Sequence, residues 1–129
     1  MCKDGFVFQS NTTVQGAADE EKVIQSAPRW FDASDYRFVV VRAVVRAFTN
    51  CELKLETSPT RDSGESSTAD SAPDSNWREA VANITQSGTY VLDAAPGATY
   101  PLDRFVRWTV KSTAASWTSS FWFGMTPKK

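Results

Sequence analysis

Tyr36-Arg37-Phe38-Val39-Val40-Val41-Arg42-Ala43-Val44-Val45-Arg46-Ala47-Phe48 carries five valines in thirteen residues. Helix and strand compete for such an apolar run. Valine loses side-chain freedom in a helix and fits a pleated surface, and no helix cap follows Phe48, so the run predicts a strand. With a period of two, Val39, Val41, Ala43, Val45 and Ala47 share one face, the better core face. Tyr36, Phe38, Val40, Arg42, Val44, Arg46 and Phe48 share the other. Arg42 and Arg46 prevent that second face from being a continuous dry core, while its apolar members imply partial cover by a loop or another subunit.

Working outward, Thr49-Asn50 reads as a turn. Cys51, Leu53, Leu55 and Thr57 then alternate with Glu52, Lys54 and Glu56, the pattern of a strand with one wet face, expected as the hairpin partner of the valine-rich strand. Residues 58–76, SPTRDSGESSTADSAPDSN, hold too little apolar surface to enter a core and read as a long polar surface loop. Trp77 to Thr85 alternates Ala80, Ala82 and Ile84 with Glu79, Val81 and Asn83, with a short helix as the competing reading of its first half. Thr89 to Asp93 is a short strand.

Leu102 to Lys111 places Val106, Trp108 and Val110 on one face and Phe105, Arg107, Thr109 and Lys111 on the other. In Trp117 to Met125 the same alternation sets Trp117, Phe121, Phe123 and Met125 opposite Trp122. Toward the N-terminus, Phe6 to Phe8 and Thr12 to Val14 read as short strands. Residues 16–24 read as a helical turn or as a loop entering a strand at 22–27, the strand being favoured, and residues 1–20 are candidates for an extended N-terminal arm. The sum is one domain over residues 1–129: an all-β, antiparallel, jelly-roll-like sandwich of about seven or eight strands.

Composition removes several function classes. The chain has no histidine, which eliminates Ser-His and Cys-His nucleophiles, His-ligated zinc and the commonest general base. Cys2 and Cys51 share no CxxC spacing; one disulfide between them is the alternative to the favoured reading, two reduced thiols with Cys51 a small core residue. No phosphate-binding glycine motif occurs. The loop acids Asp62, Glu65, Asp70 and Asp74 match no calcium loop. Fourteen basic against fifteen acidic side chains create no field favouring nucleic acid. No apolar run approaches the roughly 18 to 20 residues that span a bilayer, and the start lacks a signal-peptide core. The reading is therefore no enzyme, no cofactor, no metal, no nucleic acid and no membrane.

Five tryptophans are more than a sandwich core of this size requires. Trp108, between Val106 and Val110, reads as a core anchor. Trp30 and Trp77 sit beside loops, where a large ring plugs the open end of a sandwich. Trp122, driven outward by its neighbours, is a candidate subunit contact. Trp30, Trp77 and Trp122 together are the candidate sugar platform. Arg42, Arg46, Arg104 and Arg107 are strand-borne cations for which the plain reading is pairing with Glu52, Glu56 or Asp103, and the functional one is contact with a neighbouring subunit. The interface candidates are thus Trp122, Arg42, Arg46, Arg107 and Phe105.

The long valine-rich strand, the LKLE strand ending at Ser58, the polar loop, Trp77, the turn at Gly88-Thr89-Tyr90, Phe105-Val106-Arg107-Trp108 and the terminal aromatic strand resemble small jelly-roll accessory proteins of tailed-phage virions. The resemblance spans residues 30–126 and concerns packing positions. It implies no cofactor, assembly into trimers or other rings, and attachment to a capsid or tail, so that the chain would reside in a virion after synthesis in the host cytoplasm. The alternative expectation is a carbohydrate-binding module of jelly-roll or galactose-binding type.

Overall fold

A computed structural model describes residues 5–25, 30–59 and 77–129. They form nine strands: β1 (Phe6–Gly16), β2 (Lys22–Ile24), β3 (Phe31–Asp32), β4 (Phe38–Thr49), β5 (Cys51–Ser58), β6 (Arg78–Val81), β7 (Gly88–Asp93), β8 (Phe105–Ser112) and β9 (Trp117–Lys128). All strand pairs are antiparallel. The first sheet runs β1-β9-β4-β7 and the second β2-β8-β5-β6, with β3 following β2 along the same side of β8. That is the strand order of a jelly roll, as expected, with β3 added to its eight strands.

Alternation accounts for the core. Val39, Val41, Ala43, Leu92, Phe121, Phe123 and Met125 point inward from the first sheet, and Leu53, Leu55, Val106, Trp108 and Val110 meet them from the second. Each such large side chain, fully buried, stabilises by about 1.5–3 kcal/mol. Trp108 is the ring that ties the layers together: it meets Phe121 edge-on at 4.8 Å between centroids, and its Nε1–H donates to Gln9 Oε1 at 2.9 Å.

Three expectations are corrected. First, β5 is not the hairpin partner of β4. Thr49-Asn50 is a corner between sheets: β4 pairs with β9 and β7, while β5 pairs with β8 and β6. Asn50 adopts φ 54° there, a left-handed conformation that asparagine tolerates, and Ser116 at φ 58° serves the matching corner from β8 to β9. Second, the period-two faces of β4 hold only as far as Val45. A register shift between Val45 and Ala47 admits an extra residue, after which Phe48 turns inward opposite Ser119 and Ala47 is exposed. Third, Trp77 to Thr85 is neither a helix nor a long strand. β6 stops at Val81, a shift in register against β5 turns Ala80 and Val81 both inward, and Ile84 is buried beyond the strand.

Residues 6–16, within the segment considered for an arm, run along β9 as one strand with Phe6 opposite Met125, interrupted by register shifts at Gln9. The polar loop beyond residue 59 and the segment 1–4 lie outside the described residues.

Cys51 is 4% exposed, and its thiol donates toward the Thr118 carbonyl at 3.3 Å. Burial pushes the thiol up from its ordinary 9.0, outweighing the Thr49 backbone and Ser119 interactions that pull it down. In a Cys2→Ser background, Cys51 should therefore react with a disulfide reagent at neutral pH at least about a hundredfold more slowly in the native than in the denatured protein. A native rate equal to the denatured one would contradict its burial.

Candidate functional site

A sandwich has two outer faces, and here they differ. On the second sheet, period two turns Phe105, Arg107 and Thr109 of β8 outward, together with Glu56 and Ser58 of β5, yet every one of them is buried. Trp30 and Trp77, which stand just ahead of β3 and β6, lie over Phe105 and Arg107. The Trp30 ring meets Phe105 edge-on at 5.9 Å, and the Arg107 guanidinium lies 4.2 Å from the centre of the Trp77 ring. Register places Glu56 opposite Arg107, and Arg107 Nε–H donates to Glu56 Oε1 at 3.0 Å. A guanidinium 1% exposed thus has a carboxylate beside it and an aromatic face over it, which offsets part of its desolvation.

This overturns several assignments. Arg107 and Phe105, expected at an interface, lie beneath their own chain; for Arg107 the plain reading, pairing with Glu56, is the one observed. Trp77 is 8% exposed, and the half-buried Trp30 packs edge-on against Phe105, so both rings lie in a layer of their own chain. They do not plug the end of the sandwich. They form a small aromatic layer with Phe105, separate from the main core. At the rim of the same sheet Lys54 lies 2.7 Å from Glu79 and 3.5 Å from Glu52. The hydrogen bond to Glu79 raises its ammonium above the ordinary 10.5 against the opposing effect of burial. Its contribution is complete below 10.5 and is lost as pH climbs through the raised value, and at an exposed rim it is worth less than about 1 kcal/mol.

The outer face of the first sheet is bare. Three rows cross it. Trp122 of β9 stands beside Val44 of β4. Val7 of β1, Gly124, Arg42 and Thr89 of β7 form the next row, and Thr126, Val40 and Val91 the third. Val7 is 54% and Val91 46% exposed, and Trp122, Val40 and Val44 are half-buried by one another. The Trp122 ring leans over Gly124 so closely that a Cβ there would stand 2.5 Å from Cη2, which explains why a residue without a side chain occupies this position. Above Gly124 is an open depression of about 450 Å³ lined by Val7, Val40, Arg42, Thr89 and Trp122. Arg42 is exposed at its edge and has no hydrogen-bond or ion-pair partner among the described residues. Arg46, four residues farther along β4, is also exposed and donates through Nε to Asn11 Oδ1 at 3.2 Å.

Of the interface candidates, then, Trp122 and Arg42 share one depression, Arg46 lies beyond it on the same strand, and Phe105 and Arg107 are on the opposite side of the molecule. Val7 and Val91 belong to the face and escaped the sequence reading. Each is an ordinary strand residue until the register of β1, β9, β4 and β7 sets them side by side. Among the described residues no group of three or more Cys, Asp or Glu side chains converges as a metal site would require. The face offers apolar surface, one indole and one guanidinium, groups suited to covering by a partner.

No protein-family model matches the chain, and no curated protein matches it. Among solved structures it is similar to one described under the words "Bacillus endospore appendages form a novel family of disulfide-linked pili", at 15% identity and a TM-score of 0.38, over 98% of this chain and 91% of that one. Likeness at this level carries no argument about function or partners.

Proposed function

We propose that the chain is a non-catalytic assembly subunit that joins a larger particle through the outer face of its first sheet, in the manner of a decoration, head-completion or tail protein of a virion. One observation supports this above all: the chain spends two tryptophans on covering the outer face of its second sheet, and leaves Trp122, Val7, Val40, Val44 and Val91 on the other beside an Arg42 without a partner among the described residues. A face of this composition is what a protein contact uses, with an aromatic and an arginine at its centre. The virion setting comes from the resemblance in strand order and aromatic strands.

The expected result is a defined multimer, a trimer or a ring, by light scattering after size exclusion. Trp122→Ala should weaken the association by about 2 kcal/mol, roughly thirtyfold, while stability falls by less than about 1 kcal/mol. A protein that stays monomeric and binds immobilised glycans through Trp122 would replace this reading with a sugar-binding one, for which Trp122 is the only ring of the three candidates that remains on a bare face.

A further inference from the structure

Among the described residues five strands stand at the sheet edges, and four of them are poorly built for pairing. β1 is interrupted by two register shifts, β2 has three residues, β3 has two, and β6 has four, two of them charged. Short, bulged or charged edges are how sheets avoid added strands. β7, Gly88-Thr89-Tyr90-Val91-Leu92-Asp93, is different: it pairs with β4 without a register shift and carries no charge and no proline from Gly88 to Leu92.

The backbone of β7 shows which groups face outward. Asp93 N–H donates to the Tyr100 carbonyl and the Asp93 carbonyl accepts from Leu102 N–H, both at 3.0 Å, so Asp93 faces away from β4. Ala94 N–H donates to Arg37 O at 3.0 Å, toward the β4 side. Strand alternation then directs the N–H and C=O of Tyr90 and Leu92 to β4 and those of Val91 and Thr89 away from it. Tyr100 to Leu102 closes the edge at Asp93. At Thr89 and Val91 two donors and two acceptors remain without a partner among the described residues, since neither residue has any contact of this kind there.

We propose that this edge pairs with β7 of a second copy, antiparallel about Tyr90. This goes beyond the reading above, because it concerns the rim of the sheet and not its face. In that register Thr89 meets Val91 of the second copy, so each outward N–H faces an outward carbonyl, and the pair closes with four hydrogen bonds. Gly88 meets Leu92, small against large, and Tyr90 meets Tyr90. No charge faces a like charge, and the covered end at Asp93 stops the second strand from sliding farther. The strand is complementary to itself, as a two-fold contact requires.

Amide hydrogen exchange tests this on the intact chain. Exchange at Thr89 and Val91 should slow by at least about tenfold between dilute and concentrated protein, while Tyr90 and Leu92 stay slow throughout. Val91→Pro removes an N–H that β4 does not use and should abolish the slowing at Thr89; Val91→Lys, which charges the edge, should do so if the proline variant fails to fold. Trp122→Ala should leave the slowing in place. Fast exchange at Thr89 and Val91 at every concentration would overturn the pairing, whatever the role of Trp122. Slowing that survives Val91→Pro and disappears in Trp122→Ala would also overturn it, leaving association through the face intact.

Discussion

Arg107→Ala should lower the free energy of unfolding by about 3–5 kcal/mol, measured by denaturant titration. The cause is what the substitution leaves behind. Glu56 is buried against β8, its carboxylate has Arg107 Nε–H 3.0 Å away, and without the guanidinium it becomes a buried charge facing a void beneath Trp77. The companion variant tells this from a simple loss of packing. Replacing the pair together, Arg107→Met with Glu56→Leu, keeps the volume and removes both charges, and should recover most of the loss. If the double variant is as unstable as Arg107→Ala, the stacking of the guanidinium on Trp77, and not the orphaned carboxylate, sets the cost.

Trp108→Ala is the second large effect, also about 3–5 kcal/mol. It removes the ring that meets Phe121 across the two sheets and leaves Gln9 Oε1 without its donor. Trp122 is also a tryptophan in the middle of a strand, but its ring lies on the outer face over Gly124. The two alanine variants should separate in thermal melting, Trp108→Ala early and Trp122→Ala close to the parent. Coincident melting would mean that the assignment of inner and outer faces on β8 or β9 is wrong.

That contrast between two tryptophans was legible in the sequence, because each is flanked by residues whose side is unambiguous: Val106 and Val110 for one, Phe121 and Phe123 for the other. The strands themselves were legible for the same reason. What alternation does not contain is the partner of each strand and anything that breaks the period. The shift after Val45 carries no glycine or proline to announce it, so Ala47 and Phe48 were placed on each other's faces. Thr49-Asn50 has the composition of a hairpin turn and serves as a corner. The largest gap concerned cover. Phe105 and Arg107 are outward by period two, and nothing in β8 reveals that Trp30 and Trp77, distant in sequence, lie across them. A tryptophan near a loop looks the same whether it stands open or closes over a neighbour. The bare face was half visible, through Trp122, Arg42, Val40 and Val44, but Val7 joins it only through a register that pairs residues more than a hundred apart along β1 and β9, and Val91 only through the register of β7 on β4.

The strand order also constrains when this protein can fold. β9 follows the other eight strands in the chain and yet lies inside the first sheet, between β1 and β4. Until it leaves the ribosome, β1 has no strand beside it in the sheet and β4 lacks the Phe121 and Phe123 rings, so the nascent chain holds a valine-rich strand that can pair along one edge only, with β7. Closure of the sandwich waits for its last-made strand, and because nearly every ladder joins distant segments, it should be slow for a domain of this size.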